Sequence, residues 1–213
     1  MPYTDIEIPE RIPVYQQKET VPFPYMIFPL FIDESELSIF SEADKYDKYV
    51  AVLLLPLPDA DAADTQSADF REIGTLCRVN QIKKVADGKY KVTLEGLNRL
   101  RIMELDMSSD VPMVRCEQIR EFFEKSLVSE TLVQSLNGLL KISLSHGKPL
   151  PDDVMKMIDY IDNPARLSDL VALYVNLPLS DLQELLETLD PLERLKKVYV
   201  HLTNEVQRMQ VKN

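Results

Sequence analysis

Apolar residues recur along this chain with two different periods, and the change near residue 125 divides it in two. Before that point the sequence is β-branched and punctuated by Pro and Gly; after it, Leu returns every three or four residues. Alternation predicts strands, because successive side chains of an extended chain point to opposite faces, whereas a three-four spacing marks one face of a helix. Ile12 to Tyr15 and Phe28 to Ile32 read as short strands in a stretch broken by Pro13, Pro22, Pro24 and Pro29. Proline cannot donate to a ladder, so edge or barrel-corner positions suit them. Ser35 to Tyr46 reads as a helix capped by Ser35 or Asp33, with Leu37, Ile39, Phe40 and Ala43 turned inward. The continuous apolar run Tyr49 to Leu55 is a buried strand. Ile73, Thr75, Cys77 and Val79 share one strand face, and Tyr90, Val92 and Leu94 alternate with Lys91, Thr93 and Glu95 on the next. Asp87-Gly88 between them is a hairpin signal, since Gly accepts the positive φ of the turn. Val111 to Phe122 makes the last strand, and the set predicts a small, partly open β-barrel with one helix.

The second part is punctuated as a helical bundle. Leu127, Val128, Leu132, Leu136, Leu139 and Leu140 define a first helix ending near His146-Gly147. A second starts at Pro151 or Asp152, with Val154, Met157, Ile158 and Ile161 on one face. Asn163-Pro164 opens a third, Pro being harmless in a first turn, and Leu167, Leu170, Val171 and Tyr174 form its stripe. Ser180-x-x-Gln183 reads as a capping box for a fourth, which buries Leu182, Leu185, Leu186 and Leu189. Asp190-Pro191 caps the last, which would span about 35 Å if helical to Asn213. Along it Leu192, Leu195, Tyr199, Leu202, Val206 and Met209 alternate spacings of three and four. That stripe serves either a coiled-coil seam, making Leu195, Tyr199, Leu202, Val206 and Met209 assembly residues, or packing on the chain's own bundle. Because the stripe is still in register where the sequence stops, the chain reads as cut rather than finished. The expected architecture is α+β, with a β part over 1–122 and a helical part over 123–213.

Charge narrows the partners. A formal net charge of −11 opposes both a nucleic-acid surface, which needs basic residues to displace counterions, and an anionic membrane. No run of 18 apolar residues and no basic-then-apolar leader is present, which predicts a cytoplasmic protein. Only Cys77 and Cys116 occur, each in an alternating apolar pattern, so both read as small buried hydrophobes and not as a disulfide.

Catalytic chemistry is hard to place. Five glycines include no phosphate-cradling loop, and His146 and His201 stand apart without partners at metal-ligand spacing. The acidic segment Asp59 to Asp69 lacks the Gly and the terminal Glu of a calcium loop and reads as a mobile connection. Arg78, Lys83, Lys84, Lys89, Lys91, Arg99 and Arg101 form a basic run that reads as a solvated strand face. No catalytic residue, metal or cofactor is expected.

Several segments together resemble a known family. Val21-Pro-Phe-Pro-Tyr-Met-Ile-Phe-Pro-Leu-Phe-Ile32, Gly74-Thr-Leu-Cys-Arg-Val79, the Asp87-Gly88 hairpin and Leu94-Glu-Gly-Leu-Asn-Arg-Leu-Arg-Ile102 occur in the order seen in the N-terminal domain of the Lon ATP-dependent protease. Asn163-Pro-Ala-Arg-Leu-Ser-Asp-Leu-Val-Ala172 and Leu182 to Leu195 extend the resemblance over nearly the whole chain. Departures are Val14-Tyr15-Gln16, where the family usually carries Pro-Leu-Arg, and Asp33-Glu34, where it carries Gly-Arg.

The resemblance implies a PUA-like β subdomain and a helical bundle whose last helix leads toward an AAA+ ATPase and a Ser-Lys protease domain in a homo-hexamer. It implies recognition of unfolded or degron-bearing proteins, with no chemistry in this chain. Such recognition needs exposed apolar surface, and Met suits promiscuous contact because its thioether repacks. Phe23, Tyr25, Met26 and Phe28 in the Pro-rich run, with Met103, Leu105 and Met107, are the expected contact residues. The alternative is a stand-alone adaptor or small-ligand binder built on the same domain.

Overall fold

The computed structural model describes residues 7–55, 70–146, 158, 160–175 and 177–211. The acidic segment Asp59 to Asp69 and most of the second expected helix, Val154 and Met157 included, lie outside the described residues. The chain divides into two compact units, Met1–Arg120 and Glu121–Asn213.

The first unit is a six-stranded sheet of β1 (Arg11–Gln17), β2 (Ile27–Ile32), β3 (Tyr49–Leu54), β4 (Ile73–Lys84), β5 (Tyr90–Asp106) and β6 (Met113–Gln118). Its order is β2-β5-β4-β3-β1-β6, and β6 also pairs with β5. The pairings β1-β3-β4-β5-β6 therefore run in a circuit, to which β2 is added as an outer strand. β1 and β3 run parallel, and every other pair is antiparallel. All six residues of β3 are buried because both of its faces are covered. Val50 and Val52 join a cluster with Phe28, Phe40 and Val92, while Tyr49, Ala51 and Leu53 join another with Ile12, Leu76 and Leu100.

Asp87 and Gly88 both adopt positive φ, 59° and 72°, and turn β4 into β5 as the dipeptide predicts. β5 is much longer than expected, continuing through Gly96, Asn98 and Arg99 to Asp106. Asn98 and Arg99 are buried, and polar residues at inward positions broke the alternation that would have announced the extension. The helix expected at Ser35 to Tyr46 is a short α-helix, α1 (Leu37–Glu42), between two 3₁₀ turns. Asp33 caps the first of those 3₁₀ turns, its N–H donating to Glu36 Oε2 at 3.0 Å, and Glu36 in turn precedes α1.

The second unit contains α2 (Leu127–His146), α3 (Pro164–Ala172), α4 (Leu179–Glu187) and α5 (Pro191–Val211). Asn163 Oδ1 accepts from the Ala165 and Arg166 N–H groups, and Asp190 Oδ1 accepts from those of Leu192 and Glu193. Both caps satisfy donors that the first helical turn leaves orphaned. The capping box at Ser180-x-x-Gln183 does not form. Helix α4 begins two residues earlier, capped at Pro178, Gln183 is buried with its amide donating to Glu187 Oε1, and Ser180 Oγ turns to Asp181. Helix α5 packs against α2 and α3.

Candidate functional site

The Pro-rich run is a rigid turn. Pro22 and Pro24 restrict the backbone, and Tyr25 then enters the left-handed region at φ 67°, which an aromatic residue adopts only under constraint. The constraint comes from β5: the Tyr25 N–H donates to Gly96 O at 2.8 Å, and the Gly96 N–H donates to Met26 O at 2.7 Å. A Cβ on residue 96 would sit 2.2 Å from Phe23 O, so only glycine admits this close approach. Below the turn, Thr75 Oγ1 donates to Pro22 O at 2.7 Å and the buried Arg99 guanidinium lies 5.9 Å from the Phe23 ring centre.

This anchoring lifts Tyr25 into solvent and starts β2 in a fixed phase. Phe28, Leu30 and Ile32 point into the core, while Ile27, Pro29 and Phe31 point outward. Tyr25, Ile27 and Phe31 keep 46%, 66% and 62% of their surface exposed, which gives one apolar strip along the outermost strand. Ile27 and Phe31 were not among the expected contact residues. Their signal was present in the alternation across Pro29, a residue tolerated only where its missing N–H faces no partner.

The structure separates the other expected contact residues. Phe23 and Phe28 are buried and belong to the core, so neither offers surface to a partner. Met26 is half-buried against the same cluster as Phe28. Met103 is exposed where β5 bulges between Ile102 and Glu104, Leu105 packs partly on the second core cluster, and Met107 is exposed beyond the strand end. Gly96 and Met103 stand seven residues apart on β5, about 23 Å of strand path, so the Met group is a separate patch.

On α5, Leu195, Leu202 and Val206 are buried and Tyr199 and Met209 are half-buried. These side chains pack to different depths within the helical unit, and among the described side chains of this helix Val200 is the large apolar residue left exposed.

Chemistry in the β unit is muted. Burial pushes the Cys116 thiol up to about 12 and raises that of Cys77 as well, which keeps both protonated and unreactive. Both are free and buried. Arg99 departs from the expected solvated basic face, while Lys83, Lys84 and Lys89 are exposed around the hairpin. Among the described residues no group of three or more His, Cys, Asp or Glu is placed to hold a metal, and no helix is long and apolar enough to cross a membrane.

The fold has known counterparts. The N-terminal domain of Lon protease from the Mycobacterium avium complex matches with a TM-score of 0.76 at 18% identity, covering 91% of this chain and 98% of that one. A Lon N-terminal domain protein from Xanthomonas campestris matches with a TM-score of 0.63 at 16% identity, covering 89% and 97%. The mixed α+β arrangement is thus that of Lon N-terminal domains. Residues 11–204 match the family described as the ATP-dependent protease La (LON) substrate-binding domain, and the chain belongs to that family. Its sequence is 56% identical over 207 residues to the Lon protease of Citrifermentans bemidjiense, and 30% identical over 213 residues to that of Escherichia coli K12. Those alignments cover 97% and 95% of this chain but 26% of each relative, so the chain spans about a quarter of their length.

Proposed function

We propose that this chain is the client-recognition part of an ATP-dependent Lon protease and binds unfolded or degron-bearing polypeptides through the strip Tyr25, Ile27 and Phe31. The observation that carries the reading is the rigid presentation of that strip. Three large apolar side chains stay in water, Ile27 and Phe31 on a strand whose phase is locked by Gly96 and Tyr25 in the turn that enters it. Exposed apolar groups that packing does not require are the usual mark of an interaction surface. ATP hydrolysis, peptide-bond cleavage and assembly into a homo-hexamer belong, in this reading, to the rest of a longer cytoplasmic protein.

The test is fluorescence anisotropy of a permanently unfolded, reduced and alkylated model protein beside its folded form. The chain and its Tyr25→Ser, Ile27→Ser, Phe31→Ser variant are compared. Preferential binding of the unfolded form, lost in the variant, supports the reading; equal binding by the variant overturns it.

A further inference from the structure

The strand that carries this strip also has a backbone edge that no strand among the described residues pairs with. Its hydrogen-bonding phase follows from one contact. The Gly96 N–H donates to Met26 O, and residues 26 and 96 continue the register that sets Phe28 opposite Leu94. In an antiparallel ladder such groups alternate sides, so Phe28, Leu30 and Ile32 direct their N–H and C=O groups to β5. Ile27, Pro29 and Phe31 direct theirs to the open edge, which offers three carbonyls and two N–H donors, the Pro29 donor being absent. An open cleft of about 530 Å³ is lined by Pro29, Leu30 and Phe31 together with the Tyr15 to Thr20 stretch, Glu36 and Leu55.

Charge defines the occupant further. Phe31 stands opposite Lys91, and Lys91 stands opposite Lys83, so two like charges face each other directly across the ladder. Like charges so placed destabilise a sheet. Neither lysine, nor Lys89 beside them, forms an ion pair among the described residues, in a chain of net charge −11. An acidic residue on a strand added beside β2, level with Phe31, would stand two strands or about 10 Å from Lys91. A Lys and a Glu side chain close that span together.

Resting on the client-recognition reading above, we propose that an extended segment of the client joins the sheet as a strand on the open edge of β2. Its apolar side chains lie beside Ile27 and Phe31, and an acidic end lies toward Lys91 and Lys83. A second copy of this chain fits poorly, since a two-fold pairing centred on Pro29 sets two residues without N–H groups opposite each other and loses both bonds. A foreign strand loses one.

The probe is a ten-residue peptide of alternating valine and threonine ending in two glutamates, with two counterparts N-methylated at alternate residues, one on each edge. Binding to the chain is read by anisotropy, and backbone exchange at Ile27 and Phe31 by hydrogen-exchange NMR. Strand addition predicts that one methylated counterpart binds about tenfold or more weakly while the other matches the parent, and that both amides are protected only when peptide is bound. Equal affinity of all three peptides, or an equal loss from both counterparts, overturns strand addition and leaves the client-recognition reading standing. Absence of binding by any peptide overturns both. Amides already protected without peptide mean that the chain itself or a second copy fills the edge, and overturn the proposal.

Discussion

Arg194 on α5 sets its Nη1 2.6 Å from Glu121 Oε1, and both side chains are almost completely buried. The same guanidinium places Nε 3.0 Å from Asp169 Oδ1 and 3.0 Å from Ser168 Oγ on α3, and its Nη1 donates to Thr188 O at 2.6 Å. One cation thus joins the first residue of the helical unit, its helix α3 and the loop before its last helix. Removing one partner of a buried ionic cluster leaves uncompensated charge. Arg194→Ala should therefore cost about 3–5 kcal/mol, read as a lower urea midpoint for the helical unit. A midpoint within error of the parent would show that the cluster is energetically idle.

Gly96 holds the Tyr25 turn by having no side chain. Gly96→Ala should force the Phe23 carbonyl away and cost about 1–3 kcal/mol in urea unfolding, and binding of an unfolded protein should fall with it. Retention of both properties would mean that the turn yields freely.

Side chains on α5 should respond according to the face they occupy. Leu202→Asp places an unpaired carboxylate among packed helices and should abolish cooperative melting of the helical unit, whereas Val200→Asp on the exposed face should change stability by less than about 0.5 kcal/mol. Circular dichroism melts of the two variants decide it, and equal melts would contradict the packing described.

Both thiols should be silent in the native chain. An aromatic disulfide reagent at pH 8 should release no colour from folded protein and titrate Cys77 and Cys116 only in denaturant. Rapid native reaction of either would contradict its burial.

Alkaline pH should weaken folding through Tyr15. Burial, and then the Glu36 carboxylate, push its hydroxyl up to about 12, against an ordinary value near 10. Between those values the unfolded chain has lost a proton that the folded chain retains, so stability is present below pH 10 and declines as pH rises toward 12. The difference between parent and Tyr15→Phe, measured by urea unfolding from pH 9 to 12, isolates this residue from the thiols. Parallel curves would count against it.

Local signals announced the elements well where the chemistry is local. Asn163 and Asp190 cap as their side chains dictate, and Asp87-Gly88 turns as its φ angles require. The signals failed where tertiary context prevailed. Gln183 left its capping role for a buried bond to Glu187, and the far half of β5 hid behind Asn98 and Arg99, whose inward polarity imitates a loop. For the site, composition pointed to the Pro-rich run as a whole, but exposure depends on parity along the strand. Phe28 and Phe31 look equivalent in sequence, yet one faces the core and the other faces water. The buried cluster around Arg194 joins residues up to 73 positions apart, and no local pattern carries it.

The complete burial of β3 bears on how the chain survives its own synthesis. Tyr49 to Leu54 is six apolar, mostly β-forming residues without a charge or a proline, the composition that zips into cross-β stacks when left uncovered. Its antiparallel neighbour β4 begins only at Ile73, so a ribosome must add some twenty further residues before that partner exists. Asp47-Lys48 before the run and Pro56 after it are the flanking breakers that hold such a segment in check meanwhile. A nascent copy of this chain is, for that interval, the kind of sticky polypeptide that its finished form is proposed to seize.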